Sequence, residues 1–579
     1  MVADTLDLTG PWNIAIDPVE RGDEQRWFAP VENWDRAEPH PAAGWDTATV
    51  PHDYLTDPRY HFTGTAWYRR SILVPEGAGS SRRWRLEFDT VFQRCRIWIN
   101  GKFVGAHEGG YTPFAFDATA QLEPGRQNLI VVAVDNRVKL RALPGARTGE
   151  TIQSGQFPWL NYGGILGGAR LVAHEPVWIR GQKIETEIQA DGSARIRVKI
   201  AVRNDGPESL TAQVRTRIVD EHGAELPLAL NGAVTVSAGA TGEAVLSGAL
   251  PQGAYRLWDL EAPWLYQSRT NLVTGGDAAT QTASFGFRSL EMRDARFLLN
   301  GKAVRLAGAN RARGHPGYGG IDSDALVDQD MKLMKDAGLR FARLQHTAPG
   351  KNLLEWADHH GMLLILEVGM WAFTEPDLAS DELQSRFRAE MSEMMEMAWN
   401  HPSVVGWSLG NEYESWTAAG VDWTREMAAF VKQLDPTRPV TFEAIIYELR
   451  RLRDEKVAGP RAFDHVDFIS TNIYSRAVAE YLDLVHDRWP EKPVFISEYG
   501  MRADRVTSEQ KRIEQFDAML AIVTERPWIC GFSYWSFNDY ASRYPGTGED
   551  GYRRWGLVDE FRQPRPLYQH MREKLRNGF

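Results

Sequence analysis

A chain of 579 residues is longer than one hydrophobic core organises, so about three domains are expected. Its 43% apolar and 25% charged residues suit a globular protein, while a net charge of −11 with no basic stripe argues against nucleic acid or anionic membrane as partners. Two cysteines, Cys95 and Cys530, rule out a disulfide framework and read as free thiols in a reducing compartment.

The N-terminal M-V-A-D-T-L-D-L-T-G-P-W-N lacks a basic segment followed by an apolar one, and no stretch approaches a membrane span. A cytoplasmic protein is expected. To about residue 180 the pattern is strand-like: R-W-R-L-E-F-D, C-R-I-W-I-N-G-K and N-L-I-V-V-A-V-D alternate apolar with polar residues and end in turn formers. Asn100-Gly101 predicts a hairpin turn. From 181 to 287 the alternation returns in R-I-R-V-K-I-A-V-R-N-D-G and A-Q-V-R-T-R-I-V-D-E-H-G, over a length that suits an immunoglobulin-like β-sandwich.

After Phe287 the texture changes. Residues 323–337 have helical apolar spacing and stop at Gly338; the strand F-A-R-L-Q-H, a helix over 353–360 and the strand M-L-L-I-L-E-V follow. A long Met- and Glu-rich helix over 382–399 leads into V-V-G-W-S-L. Strand and helix alternate to the end, which predicts a parallel (β/α)₈ barrel over 288–579. Most of the 21 tryptophans are expected in cores, a minority as platforms for the apolar face of a pyranose.

Two segments carry the chemistry. V-V-G-W-S-L-G-N-E-Y-E places Asn411 beside Glu412, and P-V-F-I-S-E-Y-G places Glu498 after an apolar run. Each glutamate sits near the C-terminal end of a predicted strand, about two βα units apart, so both should face one pocket. Paired carboxylates across a sugar-sized pocket are what glycosidic bond cleavage requires. No Walker-type loop, dinucleotide-binding loop or metal-ligand spacing competes, and no cofactor is expected.

N-H-P-S-V-V-G-W-S-L-G-N-E (400–412) and P-V-F-I-S-E-Y-G (493–500) resemble the acid/base and nucleophile segments of glycoside hydrolase family 2, which holds β-galactosidases, β-glucuronidases and β-mannosidases. W-Y-R-R (67–70), I-W-I-N-G-K-F-V-G-A-H-E-G-G-Y-T-P-F (97–114), F-G-F-R-S-L-E (285–291) and F-L-L-N-G-K-A-V-R-L-A-G-A-N-R (297–311) are similar to its other signatures. The resemblance implies a multidomain β plus α/β fold: a jelly-roll β-sandwich over 1–180, an immunoglobulin-like β-sandwich over 181–287 and a catalytic TIM barrel over 288–579. It implies Glu498 as nucleophile and Glu412 as acid/base of a retaining mechanism. Asn411 would bond the sugar 2-OH, Tyr474 would hold the nucleophile and Trp535 would form the pocket floor. His346 would donate to sugar hydroxyls, with Asn472 and Glu367 as further contacts and Arg343 supporting the nucleophile or filling the barrel.

Departures from the family bear on the sugar. The Asn-x-Lys with which its glucuronidases grip a carboxylate is absent from D-G-Y-R-R-W-G-L-V-D, where Arg553 or Arg554 would have to supply the charge. N-R-A-R-G-H-P (310–316) lacks the family's histidine–acid pair, and Pro158 stands where a family glucuronidase has an aspartate. The expected function is an exo-acting retaining β-glycosidase on a neutral β-galactoside or related hexoside, with a β-glucuronide as alternative. A transglycosylase shares every residue named; a non-catalytic carbohydrate-binding protein would need one glutamate lost. The expected partner is a small-molecule carbohydrate, and the expected assembly a homo-oligomer.

Overall fold

The structure is a computed structural model that describes residues 5–75, 82–145, 161–274, 277–454, 461–503, 508–544 and 547–576. Pro158 lies outside them. The chain divides into two compact units: residues up to Arg137, Asn161–Leu257 and Trp264–Phe287 form one, and the remainder forms the other.

Two β-sandwiches make up the first unit. The N-terminal jelly roll sets a six-stranded antiparallel sheet, in the order Asp46–Val50, Gly10–Asp17, Thr65–Leu73, Gln127–Asp135, Arg94–Ile99 and Lys102–Glu108, with a four-stranded sheet. Alternation has its usual cause here: inward residues such as Trp84, Leu86 and Phe88 are buried, and their neighbours on Arg83–Phe88 stay half-exposed. Asn100 and Gly101 join two strands with φ of +53° and +79°, the paired positive values of the tight hairpin turn expected. The immunoglobulin-like sandwich follows with sheets of three and four antiparallel strands between Val177 and Phe285. Its core of Val198, Ile200, Val214, Ile218 and Phe285 comes from alternate positions on facing strands.

Eight parallel strands close a barrel in the second unit. They are β1 (Leu306–Ala312), β2 (Phe341–Gln345), β3 (Leu363–Glu367), β4 (Val404–Asn411), β5 (Val440–Ile445), β6 (Ile469–Asn472), β7 (Val494–Tyr499) and β8 (Ile529–Tyr534). Helices α1 (Asp324–Asp336), α2 (Lys351–His360), α3 (Asp381–Ala398), α4 (Ala418–Leu434), α5 (Ile446–Asp454), α6 (Val478–Arg488), α7 (Glu509–Glu525) and α8 (Pro566–Arg576) alternate with them. Ser323 caps α1 by accepting from Leu326 N–H at 3.3 Å, and Gly338 ends it at φ +81°. Strands covered on both faces need apolar residues throughout, and β2, β3, β4 and β7 are buried along their whole length. Strand β7 runs on through Glu498 to Tyr499, further than its apolar run alone indicates.

Cys95 and Cys530 are free thiols, and burial pushes both up to about 12. Among the described residues no helix is long and apolar enough to cross a membrane.

Candidate active site

Backbone geometry at the end of β4 separates Asn411 from Glu412. Gly410 has φ +134°, and a Cβ there would lie 2.4 Å from Met370 Cγ, so only glycine fits. The next residue is pinned by two backbone bonds: Asn411 N–H donates to Met370 C=O at 2.7 Å and Ala372 N–H to Asn411 C=O at 2.8 Å. Glu412 then takes φ +53° and donates its N–H to Glu443 C=O at 2.8 Å. A side chain held left-handed at a strand end is stored strain of the kind that marks functional sites.

Arg343 on β2 is the hub of the barrel interior and is fully buried. Its Nη1 donates to Glu498 Oε1 at 2.9 Å and to Asn310 Oδ1 at 3.1 Å; its Nη2 donates to Glu367 Oε2 at 2.8 Å and to Asn411 Oδ1 at 2.9 Å. The same Nη2 lies 3.4 Å from Glu443 Oε2. Tyr474 completes the hold on Glu498 by donating its hydroxyl to Oε2 at 2.9 Å. Asn472 ties the other glutamate in: its Nδ2 donates to Glu412 Oε1 and to Asn411 Oδ1, both at 3.0 Å, and Ser497 Oγ fixes its carbonyl at 2.8 Å.

One buried guanidinium among three buried carboxylates cannot neutralise them all. Burial raises Glu498 to about 8, with the charge of Glu412 adding; Arg343 and Tyr474 pull the other way. Burial also raises Glu443, to about 8, and Ser408 Oγ donates to its Oε2 at 2.5 Å. Glu443 and Glu367 share a side-chain hydrogen bond that raises Glu443 and lowers Glu367, the sense of a proton carried by Glu443. Glu367, raised by burial as well, keeps two bonds from Arg343 and one contact to His346, so the proton this pair holds resides on Glu443.

His346 Nδ1 lies 2.8 Å from Glu367 Oε1, and burial together with Arg343 holds the imidazole well below its ordinary pKa. A neutral ring donating from Nδ1 to Glu367 carries its acceptor at Nε2. The ring stands between Trp371 and Trp535, with centroids 6.3 and 5.8 Å away and planes within 24°. Trp535 is 4% exposed and donates Nε1–H to Tyr540 Oη at 3.2 Å.

The site gathers two glutamates in unlike settings beside a set of aromatic rings, and the family comparison agrees with that reading. Residues 290–576 match the glycosyl hydrolases family 2 TIM barrel domain, 6–147 the family 2 sugar binding domain, and 177–288 a third segment described as glycosyl hydrolases family 2. The chain belongs to glycoside hydrolase family 2. A β-glucuronidase of Paenibacillus borealis is 27% identical over 612 aligned residues, covering 98% of this family 2 chain and 96% of its own. A β-galactosidase of Thermoanaerobacter pseudethanolicus is 24% identical over 528, covering 89% and 65%. The solved β-glucuronidase of Ruminococcus gnavus in complex with D-glucaro-δ-lactam shares the fold, with a TM-score of 0.83 at 21% identity over 99% and 98% of the chains.

Of the residues singled out in the sequence, the barrel brings Asn411, Glu412, Asn472, Tyr474, Glu498, Glu367 and His346 into one hydrogen-bonded set through Arg343 and Asn472, with Trp535 stacked on His346. Arg554 is elsewhere engaged: it forms a two-pronged ion pair with Asp550 and lies 3.9 Å from Glu560. Glu443 escaped sequence reading. Its T-F-E-A-I has the strand-then-acid form of the Glu367 segment, and that was the available signal.

Proposed function

We propose that the protein is a retaining exo-β-glycosidase with Glu498 as nucleophile and Glu412 as general acid and base. The observation that carries this is the asymmetry of the two carboxylates. Glu498 receives a guanidinium on one oxygen and a phenol on the other, a setting made for an anion. Glu412 receives a neutral amide from Asn472, which tolerates a proton. A proton on Glu412 removes the smaller of the two effects that raise Glu498, burial being the larger, while Arg343 and Tyr474 favour the ionised nucleophile.

Glu498 attacks the anomeric carbon while Glu412 protonates the departing oxygen, giving a covalent glycosyl-enzyme; Glu412 then deprotonates the water that releases the sugar. Asn411 bonds the 2-OH, His346 Nε2 accepts from a glycone hydroxyl and Trp535 floors the pocket.

A terminal β-glucuronide is the glycone best supported, because the relatives that span nearly the whole chain are named β-glucuronidase. A neutral β-galactoside is the second reading. Support for it comes from D-G-Y-R-R-W-G-L-V-D, which lacks Asn-x-Lys, and from a relative named β-galactosidase. Initial rates on a panel of 4-nitrophenyl β-glycosides decide between them; a protein inert on the whole panel would refute both.

A further inference from the structure

Away from the barrel, the first unit holds a cavity of about 350 Å³ lined by the outer face of the jelly roll's four-stranded sheet and by the immunoglobulin-like sandwich. That volume lies in the range of small-molecule pockets. Alternation along Arg83–Phe88 buries Trp84, Leu86 and Phe88 in the core and turns Arg85 and Glu87 outward onto the cavity. Trp178, on Val177–Ile188, and Gln281, on Asp277–Phe285, line it from the second sandwich.

Two polar groups here lack the partners that burial calls for. Arg85 makes no hydrogen bond among the described residues. Its ion pair with Glu87 Oε1 spans 3.6 Å, beyond hydrogen-bond length, and Arg170 takes the other oxygen of Glu87 at 2.9 Å. The guanidinium carbon of Arg85 lies 4.4 Å from the ring centre of Trp178, which is fixed in turn by donating Nε1–H to Asp205 Oδ2 at 2.9 Å. Cation–π attraction of this kind positions a guanidinium by its face and leaves its edge N–H groups for a planar acceptor. Burial, opposed by Glu87 and aided by Arg180, holds Arg85 below the ordinary guanidinium range, a cost that an anion beside it would relieve. Gln281 Oε1 is buried with no hydrogen-bond partner among the described residues, an acceptor that lacks a donor.

Charge narrows the ligand. The lining sets three cations, Arg82, Arg85 and Arg180, against two anions, Glu87 and Glu175, a surplus of one positive charge. His174 adds none near pH 7, because burial, with Arg85 helping, keeps its imidazole below its ordinary pKa. A single positive charge suits a carboxylate better than a doubly charged phosphate, and an acceptor without a donor suits a hydroxyl. We propose that the cavity is a second, non-catalytic site for a sugar acid, in which Arg85 pairs with the carboxylate and Gln281 Oε1 accepts from a ring hydroxyl. The site serves whichever glycone the barrel cleaves, since every residue lining it belongs to the first unit.

The probe is sodium D-glucuronate, followed by fluorine NMR of the full chain carrying fluorotryptophan. The resonance lost in Trp178→Phe or Trp178→Tyr is that of Trp178, and it reports this cavity apart from the barrel. Its shift should move and saturate with a Kd of about 1 mM, the strength of a small ligand held by one charge-assisted pair. D-glucose keeps the ring and loses the charge, and acetate keeps the charge and loses the ring; each should bind at least about 10-fold more weakly. Arg85→Met should raise the glucuronate Kd about 10- to 100-fold, Arg85→Lys by less, and Gln281→Leu about 5-fold. The proposal falls if glucuronate leaves the Trp178 resonance unmoved, if D-glucose or acetate binds as tightly, if inorganic phosphate binds more tightly, or if Arg85→Met keeps the wild-type Kd. Should Arg85→Met fail to fold, Arg85→Lys and the wild-type comparison of the four probes still decide.

Discussion

The hydroxyl of Tyr474 stands 2.9 Å from Oε2 of Glu498, opposite the oxygen that Arg343 holds. The phenol donates to that oxygen and favours the ionised form of Glu498, the proposed nucleophile. Tyr474→Phe should lower kcat about 10- to 100-fold, the worth of one hydrogen bond to a charged group. It should also move the ascending limb of the kcat/KM profile to higher pH, because an anion that loses a donor titrates higher. An unmoved limb in stopped-point assays from pH 4 to 9 would count against the contact.

Glu498 itself should weaken the fold as it ionises. Its folded value of about 8 lies above the ordinary 4.5, so the folded state holds the proton more tightly than the unfolded chain. Stability then falls as pH rises from about 4.5 toward 8. Glu498→Gln removes that dependence, and its melting temperature should exceed wild type at pH 8 while matching it near pH 4.5. Differential scanning fluorimetry across that range reads the sign.

Glu443 and Glu367 look equivalent in sequence and should behave differently. Because burial keeps Glu443 protonated near pH 7, Glu443→Gln substitutes one neutral group for another, and kcat/KM should stay within about 5-fold. Glu367→Gln leaves Arg343 without its two-bond partner and His346 without its charged acceptor, and should cost about 100-fold. Equal effects from the two would refute the proton's assignment.

Arg343→Met should be the most damaging change in the barrel interior. It strips the cation from three buried carboxylates, an effect of about 3–5 kcal/mol where a buried pair loses one partner. Protonation relieves the stranded carboxylates, so the loss of stability should be smaller at pH 5 than at pH 7.5. Chemical denaturation at both values measures the difference.

Azide should separate the two glutamates by stereochemistry. In Glu498→Ala, azide enters the space left by the nucleophile and an activated β-glycoside gives the α-glycosyl azide. In Glu412→Ala the covalent intermediate still forms, and azide attacks it from the opposite face to give the β-glycosyl azide. Anomeric coupling constants identify the products, and the same anomer from both variants would overturn the proposed roles.

The architecture was legible because each element announces its own burial. Two-residue alternation in residues 195–206 marks strands with one wet face, and β4 or β7 opens on a mostly apolar run because a parallel barrel covers both faces. Asn411, Glu412 and Glu498 were legible for a related reason: polar residues at the end of a buried strand are costly unless they have work to do. Arg343 and Glu443 show where that logic stops. Inside a barrel strand a buried charge is explained only by its partners, and those come from β1, β3, β4 and β7, distant in the chain.

Arg553 and Arg554 make the division sharpest. Side by side in sequence they are chemically identical, and no property of D-G-Y-R-R-W-G tells them apart. The folded chain does: Arg553 pairs with Tyr540 across two short strands after β8, while Arg554 follows the pair and meets Asp550. The amino-acid order alone determined the domains' kinds, the two carboxylates proposed for the reaction and the strands that carry them. Which arginine pairs with Tyr540 across the short strands, which acid Arg343 holds by two bonds and which rings flank His346 were decided by tertiary packing, since each depends on a neighbour brought close only by the closed barrel or by the strand pair beside it.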